Sequence, residues 1–549
     1  MINLLVISVL LPLAGAVAIM ALSRFGPAMA RRLALTTSLV TLVLVARVML
    51  DFLADGVGKS LGVRWDWFSH SSIHIQFGMD LDGLSLWLYG LTALLTITAV
   101  LISWESITDR PAAYYSLLLL LETGMLGVFV ARDIILFYVF FEFTLVPLFF
   151  IIGIWGSEDR RYAAVKFFLF TLAGSLLTFL GLLTIVLLNY FATPGGVLTF
   201  SIPELTASLA AHPINPAVQV WIFLALFAGF AIKVPLFPLH TWLPLAHVQA
   251  PAAGSVILAG ILLKLGTYGF LRFNLPMLPD GTVVCMPWVL WLAAAGIIYG
   301  ALVSLAQNDI KKLIAYSSVS HMGFCMLGIF AITPLGLGGG TLQMLNHGLS
   351  TGGLFALVGM LYERYHTRQI ADYRGIARKL PIFSTMFVIF TLSSIGLPGL
   401  NGFAGEFLLL TGMFQRGWAE APFFYTVQWQ AISIISTFGV VLGAWYMLWL
   451  VQRVFFGPLK EKEQHGHHEP IRDLSIREVL ALAPLLVFMF WIGLVPQHFL
   501  GPMNNQLRSL AAGATASFDQ RYLAAPAQRP QPASPIVSTT QSGEFVRVD

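Results

Sequence analysis

The side chains of this sequence that could do chemistry stand inside apolar runs. Glu122, Glu142, Lys233, Lys264, His321 and His347 fall near the middle of stretches long enough to cross a bilayer, and Glu406 lies just past a break in another. A lysine at the bilayer centre costs roughly 2.5–3.5 kcal/mol on insertion scales, so charges at that depth face protein or water and mark function by default. The chemistry open to such a set is proton relay. A carboxylate near a lysine favours the ammonium form, and once that influence is withdrawn desolvation can expel the proton. Histidine titrates near neutrality unaided, and hydroxyls such as Ser317, Ser318 and Ser320 beside His321 could complete a hydrated path. A common depth suits a path running in the membrane plane. Two plainer readings stay open: structural ion pairs locking helices together, which weighs most for Glu122, and hydrogen-bonded core histidines for His321 and His347.

The elements that must position these groups are interrupted helices. The stretch 227–273 reads FAGFAIKVPLFPLHTWLPLAHVQAPAAGSVILAGILLKLGTYGFLRF, with Lys233 followed by Pro235, Pro238, His240, Pro244, His247, Pro251 and then Lys264. Proline removes a backbone donor and clashes with the preceding turn, so the span at 218–246 is expected to break beside Lys233, freeing polar backbone at membrane depth. A second long span, at 382–415, is interrupted by Gly396-Leu397-Pro398-Gly399, with Glu406 eight residues beyond Pro398. Two interrupted spans in corresponding halves of a chain are the mark of an inverted-repeat transporter.

Composition fixes the class. Of the 549 residues 57% are hydrophobic and only 11% charged, against about 25% charged in soluble domains. The expected fold is an all-α polytopic membrane protein of about fourteen transmembrane helices. Within it, two inverted five-helix repeats should each contain a broken helix. The first apolar run, from Ile2 to Leu22, has no basic segment ahead of it and reads as a retained span. Alternating the loops puts Arg24, Arg31, Arg32, Arg160, Arg161, Lys311, Lys312, Arg374, Arg453 and Lys460 on one side, and only Lys59, Arg64, Arg132, Arg272 and Arg416 on the other. By the excess of cations the first side is cytoplasmic, and both termini lie outside.

Other features carry less. Cys285 and Cys325 stand in apolar surroundings, so no disulfide framework, metal site or iron–sulfur ligation is readable. HGHHEP at 465–470 is better read as a solvated charged loop than as a metal tract. Gly338-Gly339-Gly340 opens a helix without a preceding strand and is no nucleotide loop. Residues 54–80 could form an external hairpin or an irregular loop. The polar, Pro-rich segment from Met503 is expected to be disordered. Nucleic acid is not indicated.

Several runs together resemble one family. FGMDLDGLSLWL (77–88), FFEFTLVPLFFIIGIWG (140–156), AIKVPLFPLHTWLPLAHVQAP (231–251), ILLKLGTYGFLRF (261–273), DIKKLIAYSSVSHMGF (309–324), NHGLSTGGLFALVGMLYER (346–364) and GLPGLNGFAGEF (396–407) are similar to the antiporter-like membrane subunits of complex I, NADH:quinone oxidoreductase. The acid Glu406 distinguishes one of the three such subunits, because its sisters place a lysine there. The resemblance implies proton translocation driven by redox events in partner chains, with Glu142 pairing Lys233, Lys264 as central relay, His321 and His347 on the connecting path and Glu406 as terminus. Glu122 is added from depth alone.

The resemblance further implies that this chain holds no cofactor, while NADH, FMN, iron–sulfur clusters and quinone belong to partners. Those partners would be the other complex I membrane subunits, sister antiporter-like subunits included, in the lipid bilayer of a bacterial inner membrane. The corresponding division of the chain is N-terminal helices and external loop at 1–110, half-channel repeats at 111–275 and 276–460, a C-terminal helix region at 461–502 and a tail at 503–549. A subunit of a multisubunit sodium/proton antiporter is the alternative function; a scaffold whose buried charges only lock helices is a third.

Overall fold

A computed structural model describes residues 3–55, 61–70, 73–193, 197–419, 425–460 and 471–522. The His-rich tract at 465–470 and the tail beyond 522 lie outside the described residues. Apolar runs become helices here because lipid offers no partner for backbone N–H and C=O groups, which must then pair within the segment.

From the N-terminus, α1 (Leu4–Ala21) and α2 (Pro27–Asp55) lead to strands β1 (Val63–His70) and β2 (Ile73–Met79). These pair antiparallel, so the external hairpin is present, and β2 also pairs parallel with the two-residue β3 (Leu198–Thr199). Next come α3 (Leu86–Ile102) and α4 (Pro111–Val130). Helices α5 (Ile134–Phe143) and α6 (Leu145–Trp155) make one span and are followed by α7 (Arg160–Ala192), α8 (Ile202–Ala211) and α9 (Pro216–Lys233). After a break, α10 (Trp242–Gln249) precedes a span built of α11 (Ala252–Ile257), α12 (Leu263–Gly269) and α13 (Leu275–Met277), joined by π-helical turns. Then come α14 (Pro279–Leu305), α15 (Ile310–Phe330) and α16 (Pro334–Tyr365). Helices α17 (Pro381–Ser394) and α18 (Asn401–Trp418) flank the second break, and α19 (Thr426–Phe455), α20 (Ile476–Leu494) and α21 (Gln497–Tyr522) complete the chain.

Among the described residues twelve helices are long and apolar enough to cross a membrane. The expected count of fourteen is not reached on that measure for two reasons. Helix α3 has 17 residues, and the long run at 382–415 is cut by the glycine–proline break into α17, with 14, and α18.

The helices divide by what they touch. Helices α1, α2, α7 and α19 turn large apolar side chains such as Val17, Val43, Leu180 and Val441 outward, as lipid-facing helices do. The span Ala252–Met277 and helices α15 and α16 are enclosed almost throughout. Their enclosure rests on close backbone approach. A Cβ on Gly412 of α18 would lie 2.2 Å from the Gly336 nitrogen of α16, and one on Gly339 2.2 Å from the Leu409 nitrogen. Small residues at such crossings let helices pack where lipid supplies no hydrophobic drive.

Helix α21 departs from the sequence expectation of a disordered tail from Met503. Its Phe499, Met503, Leu507, Ala511, Ala514 and Phe518 recur every three or four residues and are buried on one face. The interleaved Asn, Gln, Ser and Ala hide that stripe from a hydropathy average. Polar anchors fix the helix as well: Trp87 Nε1 donates to the Phe499 carbonyl at 2.8 Å, and Arg416 sits 4.6 Å from the Phe518 ring centroid.

One ion network joins distant parts of the chain. The Asp82 carboxylate, just before α3, accepts from Arg132 at 2.8 Å, from Arg272 at 2.7 and 2.9 Å, and from Gln506 of α21 at 2.9 Å. Burial acts to raise the Asp82 carboxyl, but the two guanidinium groups outweigh it and hold it well below the usual carboxylate range.

Two outcomes are expected. Gly412→Ala should cut the yield of assembled complex extracted from membranes, because its Cβ meets backbone that cannot step aside, whereas Gly501→Ala, with nothing within 4 Å, should leave the yield unchanged. Asp82→Asn should destabilise the complex by about 3–5 kcal/mol at pH 7, read as a lower thermal midpoint. Since the folded value lies below the unfolded one near 3.9, this stabilisation is complete above that pH and is lost as pH falls toward the folded value. Thermal midpoints of wild type and variant should therefore converge on acidification.

Candidate functional site

Both expected breaks are present, and each places a charged side chain. Helix α9 stops at Lys233, and the chain resumes as α10 at Trp242. A lysine in the last turn faces the negative end of the helix dipole, which favours its ammonium form. Helix α17 stops at Ser394 and α18 starts at Asn401; between them Gly396 holds φ +73. A side chain at Gly396 would be strained at that angle, and its Cβ would fall 2.5 Å from Glu406 Oε2, so the glycine both turns the chain and makes room for the carboxylate.

Four of the expected residues come together: Lys264 from the end of the first half of the chain, and His321, His347 and Glu406 from the second. Lys264 stands on α12 between the π-helical turns Leu258–Leu262 and Phe270–Asn274. Such widened turns are frequent at functional positions. Its Nζ lies 2.6 Å from His347 Nδ1 on α16 and also donates to the Ala259 carbonyl. The His347 and His321 rings have centroids 5.8 Å apart, and His321 Nδ1 is 3.6 Å from Glu406 Oε1. All four side chains are at most 5% exposed. The result is a row running Lys264, His347, His321, Glu406 across α12, α16, α15 and α18.

A polar wall backs the row. Gln343 Nε2 donates to Glu406 Oε1 at 3.2 Å, and Asn346 Nδ2 donates to Gln343 Oε1 at 3.1 Å and to the Asn401 carbonyl at 2.7 Å. Ser350 and Ser393 hydroxyls are 2.6 Å apart, and Ser393 donates to Asn401 Oδ1. Gln343, Asn346, Ser350 and Ser393, with His321 and His347, line a cavity of about 10 Å³, roughly the room one water needs. The hydroxyl that reaches His321 belongs to Ser394, 3.2 Å from Nε2. Ser317, Ser318 and Ser320, expected on the path, instead donate to the carbonyls of Ile314, Ile314 and Ile297. Ser317 and Ser318 turn back on the preceding turn, as serines within a helix commonly do, and Ser320 reaches across to α14. None of Gln343, Asn346, Ser350, Ser393 and Asn401 was singled out from sequence. The signal available was polar residues at helix spacing on the face of α16 that carries His347, and an asparagine directly after the glycine–proline break.

The other three residues lie elsewhere. Glu142, on α5, and Lys233 are near neighbours, but they make no ion pair within 4 Å; the Lys233 ammonium sits 4.4 Å from the centroid of the adjacent Phe141 ring. Glu142 Oε1 is buried without a hydrogen-bond partner. Glu122, fully buried on α4, faces Ser38 of α2 rather than the row, and neither carboxyl oxygen makes a hydrogen bond within 3.5 Å. His247, not chosen from sequence, is fully enclosed, stacked on Phe355 at 4.4 Å, with both ring nitrogens unpartnered. Among the described residues no group of three or more His, Cys, Asp or Glu side chains could hold a metal ion, and Cys285 and Cys325 are free and buried.

With this geometry established, likeness to known proteins can be stated. Residues 131–453 match the family described as "NADH:quinone oxidoreductase/Mrp antiporter, TM". The chain is 42% identical over 508 residues to NADH-quinone oxidoreductase subunit M of Rhodobacter capsulatus, covering 91% of this chain and 95% of that protein. It is 40% identical over 503 residues to NADH-ubiquinone oxidoreductase chain 4 of Marchantia polymorpha, covering 91% and 96%. A chain of respiratory complex I from Thermus thermophilus with bound NADH superposes with a TM-score of 0.80 at 31% identity, over 93% of this chain and 99% of that one. A buried row of titratable groups spanning a broken-helix repeat and likeness over nine-tenths of the length agree: the chain belongs to the antiporter-like membrane subunits of NADH:quinone oxidoreductase, on the branch of subunit M and chain 4.

Proposed function

We propose that this chain, as a membrane subunit of respiratory NADH:quinone oxidoreductase, moves protons along the row Lys264, His347, His321, Glu406. The observation that carries the reading is the contact series itself. Lys264 Nζ and His347 Nδ1 are already at hydrogen-bond distance, and His321 Nδ1 stands 3.6 Å from the Glu406 carboxyl. The wider step, between the two imidazoles, passes the small polar cavity they both line. A water there, or rotation of one ring, would close it. Proton transfer through side chains needs donors and acceptors within about 3 Å or one water apart; the Lys264–His347 step meets that condition directly, and the two later steps would meet it through a water or a small side-chain movement.

The first half of the chain supplies Glu142 and Lys233 in this reading. Their separation without an ion pair leaves each free to respond to the other's charge: a proton arriving at Glu142 removes the anion that favours the Lys233 ammonium. A break in each part supports the half-channel division at 111–275 and 276–460. Glu122, set apart from the row, is assigned no transfer step. The energy comes from redox events in partner subunits, which would hold NADH, FMN, iron–sulfur clusters and quinone. The excess of Lys and Arg on one side supports both termini lying on the periplasmic face of a bacterial inner membrane in this reading. The family description covers sodium/proton antiporter subunits too, but the relatives matching nine-tenths of this chain are named for NADH oxidoreductases.

Two sets of variants test the reading. Glu142→Ala or Lys233→Ala should reduce coupled proton pumping on the order of tenfold or more and slow quinone reduction with it, because a tightly coupled pump stalls when its relay is cut. Wild-type proton-to-electron stoichiometry in an assembled mutant complex removes these residues from the path. Glu406→Gln keeps the shape and can still accept from Gln343 but exchanges no proton, so pumping in membrane vesicles should fall while assembly persists. Glu406→Lys should retain part of the activity. A scaffold gives the reverse order, a mild Gln and a collapsed Lys, since reversing a buried charge unpairs its neighbours.

A further inference from the structure

The basic end of α19 carries a feature that proton transfer does not use. Arg374, Arg453 and Lys460 line one cavity of about 560 Å³, together with Ile370, Ala371, Tyr373, Gln452, Phe456 and Gly457. The three cations come from separate segments and are held together by backbone. Arg374 N donates to the Lys460 carbonyl at 3.0 Å and Lys460 N to the Arg374 carbonyl at 2.8 Å, so the two side chains leave a short bridge side by side. Gly457, at φ +101, lets the Arg374 side chain lie across it; a Cβ there would be 2.8 Å from Arg374 Nε. Arg453, in the last turn of α19, is set by the Trp449 ring, 4.4 Å from its centroid. Among the described residues no carboxylate lies within 4 Å of any of the three, and the cavity lining contains no acid. Three cations gathered beside no described carboxylate form a surface that suits an anionic ligand.

The position says which anion. Helix α19 is a membrane span that ends at Phe455, so the cavity sits at the level where the bilayer gives way to water. Trp445, Leu448, Gln452 and Phe456 recur at helix spacing on one exposed face, and Gln452 and Phe456 are also lining residues of the cavity. An outward apolar strip therefore runs from membrane depth straight into the cation cluster. That pairing matches an amphiphile, with phosphate in the cavity and acyl chain along Trp445 and Leu448. A free phosphate would engage the cations alone, whereas a lipid already lying on this outward face of α19 would engage both. Basic pockets at helix ends on the side of excess positive charge are the usual recognition geometry for acidic lipid headgroups.

We propose that this cavity binds the phosphodiester headgroup of an anionic phospholipid, whose acyl chain lies along the exposed face of α19. Arg374 and Arg453 supply the planar guanidinium groups that take phosphate oxygens in pairs, and Lys460 adds a point charge. A lipid held here would wedge the 370–379 loop against the end of α19.

The test uses the intact complex reconstituted in vesicles containing phosphatidylglycerol or phosphatidylcholine analogues with the same photoactivatable acyl chain, with crosslinks mapped by peptide mass. Labelling of the 445–456 segment should be strong for the phosphatidylglycerol analogue and weak for the phosphatidylcholine one. It should fall roughly fivefold for each cation removed in Arg374→Gln, Arg453→Gln and Lys460→Gln. Arg453→Lys, which keeps the charge, should retain most of the labelling and guards against a variant that merely misfolds. Equal labelling by both analogues in wild type, unchanged labelling in the triple variant, or full displacement of the lipid by millimolar inorganic phosphate would each overturn the proposal. The last would make the ligand a free anion, and absence of labelling altogether would mean that a partner chain covers the cavity. Proton pumping plays no part in the readout, so the relay reading stands or falls separately.

Discussion

Everything in this structure depends on keeping charge away from lipid. An ammonium or carboxylate can exist at membrane depth only where other helices, polar groups or water replace its solvation. The chain meets that constraint by sorting its helices. Those that carry Lys264, His321 and His347 are enclosed on all sides, while α1, α2, α7 and α19 present apolar side chains to the surroundings. The enclosure leaves little slack: glycines at the α16–α18 crossing bring the two backbones so near that even a methyl group has no space. Packing and chemistry are thus one problem, because the same crossing sets the distance from His321 on α15, beside α16, to Glu406 on α18.

The two breaks show how backbone geometry is converted into charge position. A continuous helix through Lys233 would satisfy its own carbonyls and leave the lysine with a uniform apolar wall. Ending the helix at Lys233 instead sets the ammonium at a negative dipole end, with an aromatic face for further support. At the second break Asn401 does the corresponding work. Its side chain accepts from Ser393 on the near side and donates to the Asn346 carbonyl on α16, so the interrupted backbone is tied to the helix that carries His347. Freed polar backbone at membrane depth is tolerated because it is paired across protein.

Much of this was legible in the sequence, and the misses have physical causes. The membrane class, the helix breaks and the residues of the row follow from apolar run length, from proline and glycine, and from the rarity of charge in such runs. Helix α21 was missed because a polar helix with one apolar stripe reads as a loop when hydropathy is averaged. The serines near His321 misled because proximity in sequence does not fix the direction of a side chain on a helix: Ser317, Ser318 and Ser320 turn to carbonyls, and Ser394, 73 positions away, supplies the contact. Depth alone also misled for Glu122. Equal depth places a residue on a plane but not on a line, and α4 stands with α2 and α1 rather than with α12 and α16.

The composition of the row explains why its ends differ. In the proposed relay, Lys264 protonated and Glu406 ionised would give the row one positive and one negative charge, and a proton passed from the lysine end to the acid end would leave both groups neutral. Net charge is zero before and after, so neither end state requires an uncompensated ion in a low-dielectric interior, which is the most costly condition available there. The two histidines between them need carry charge only in passage. A second lysine at the acid's position would lack this property, since one proton in the row would then always leave a net cation, and that cost would fall on whatever anion or water the surroundings could offer. In this chain the neutralising partner is internal. In the proposed relay, an electrostatic change arriving from a neighbouring subunit would then bias the proton toward one end or the other without leaving net charge in the row.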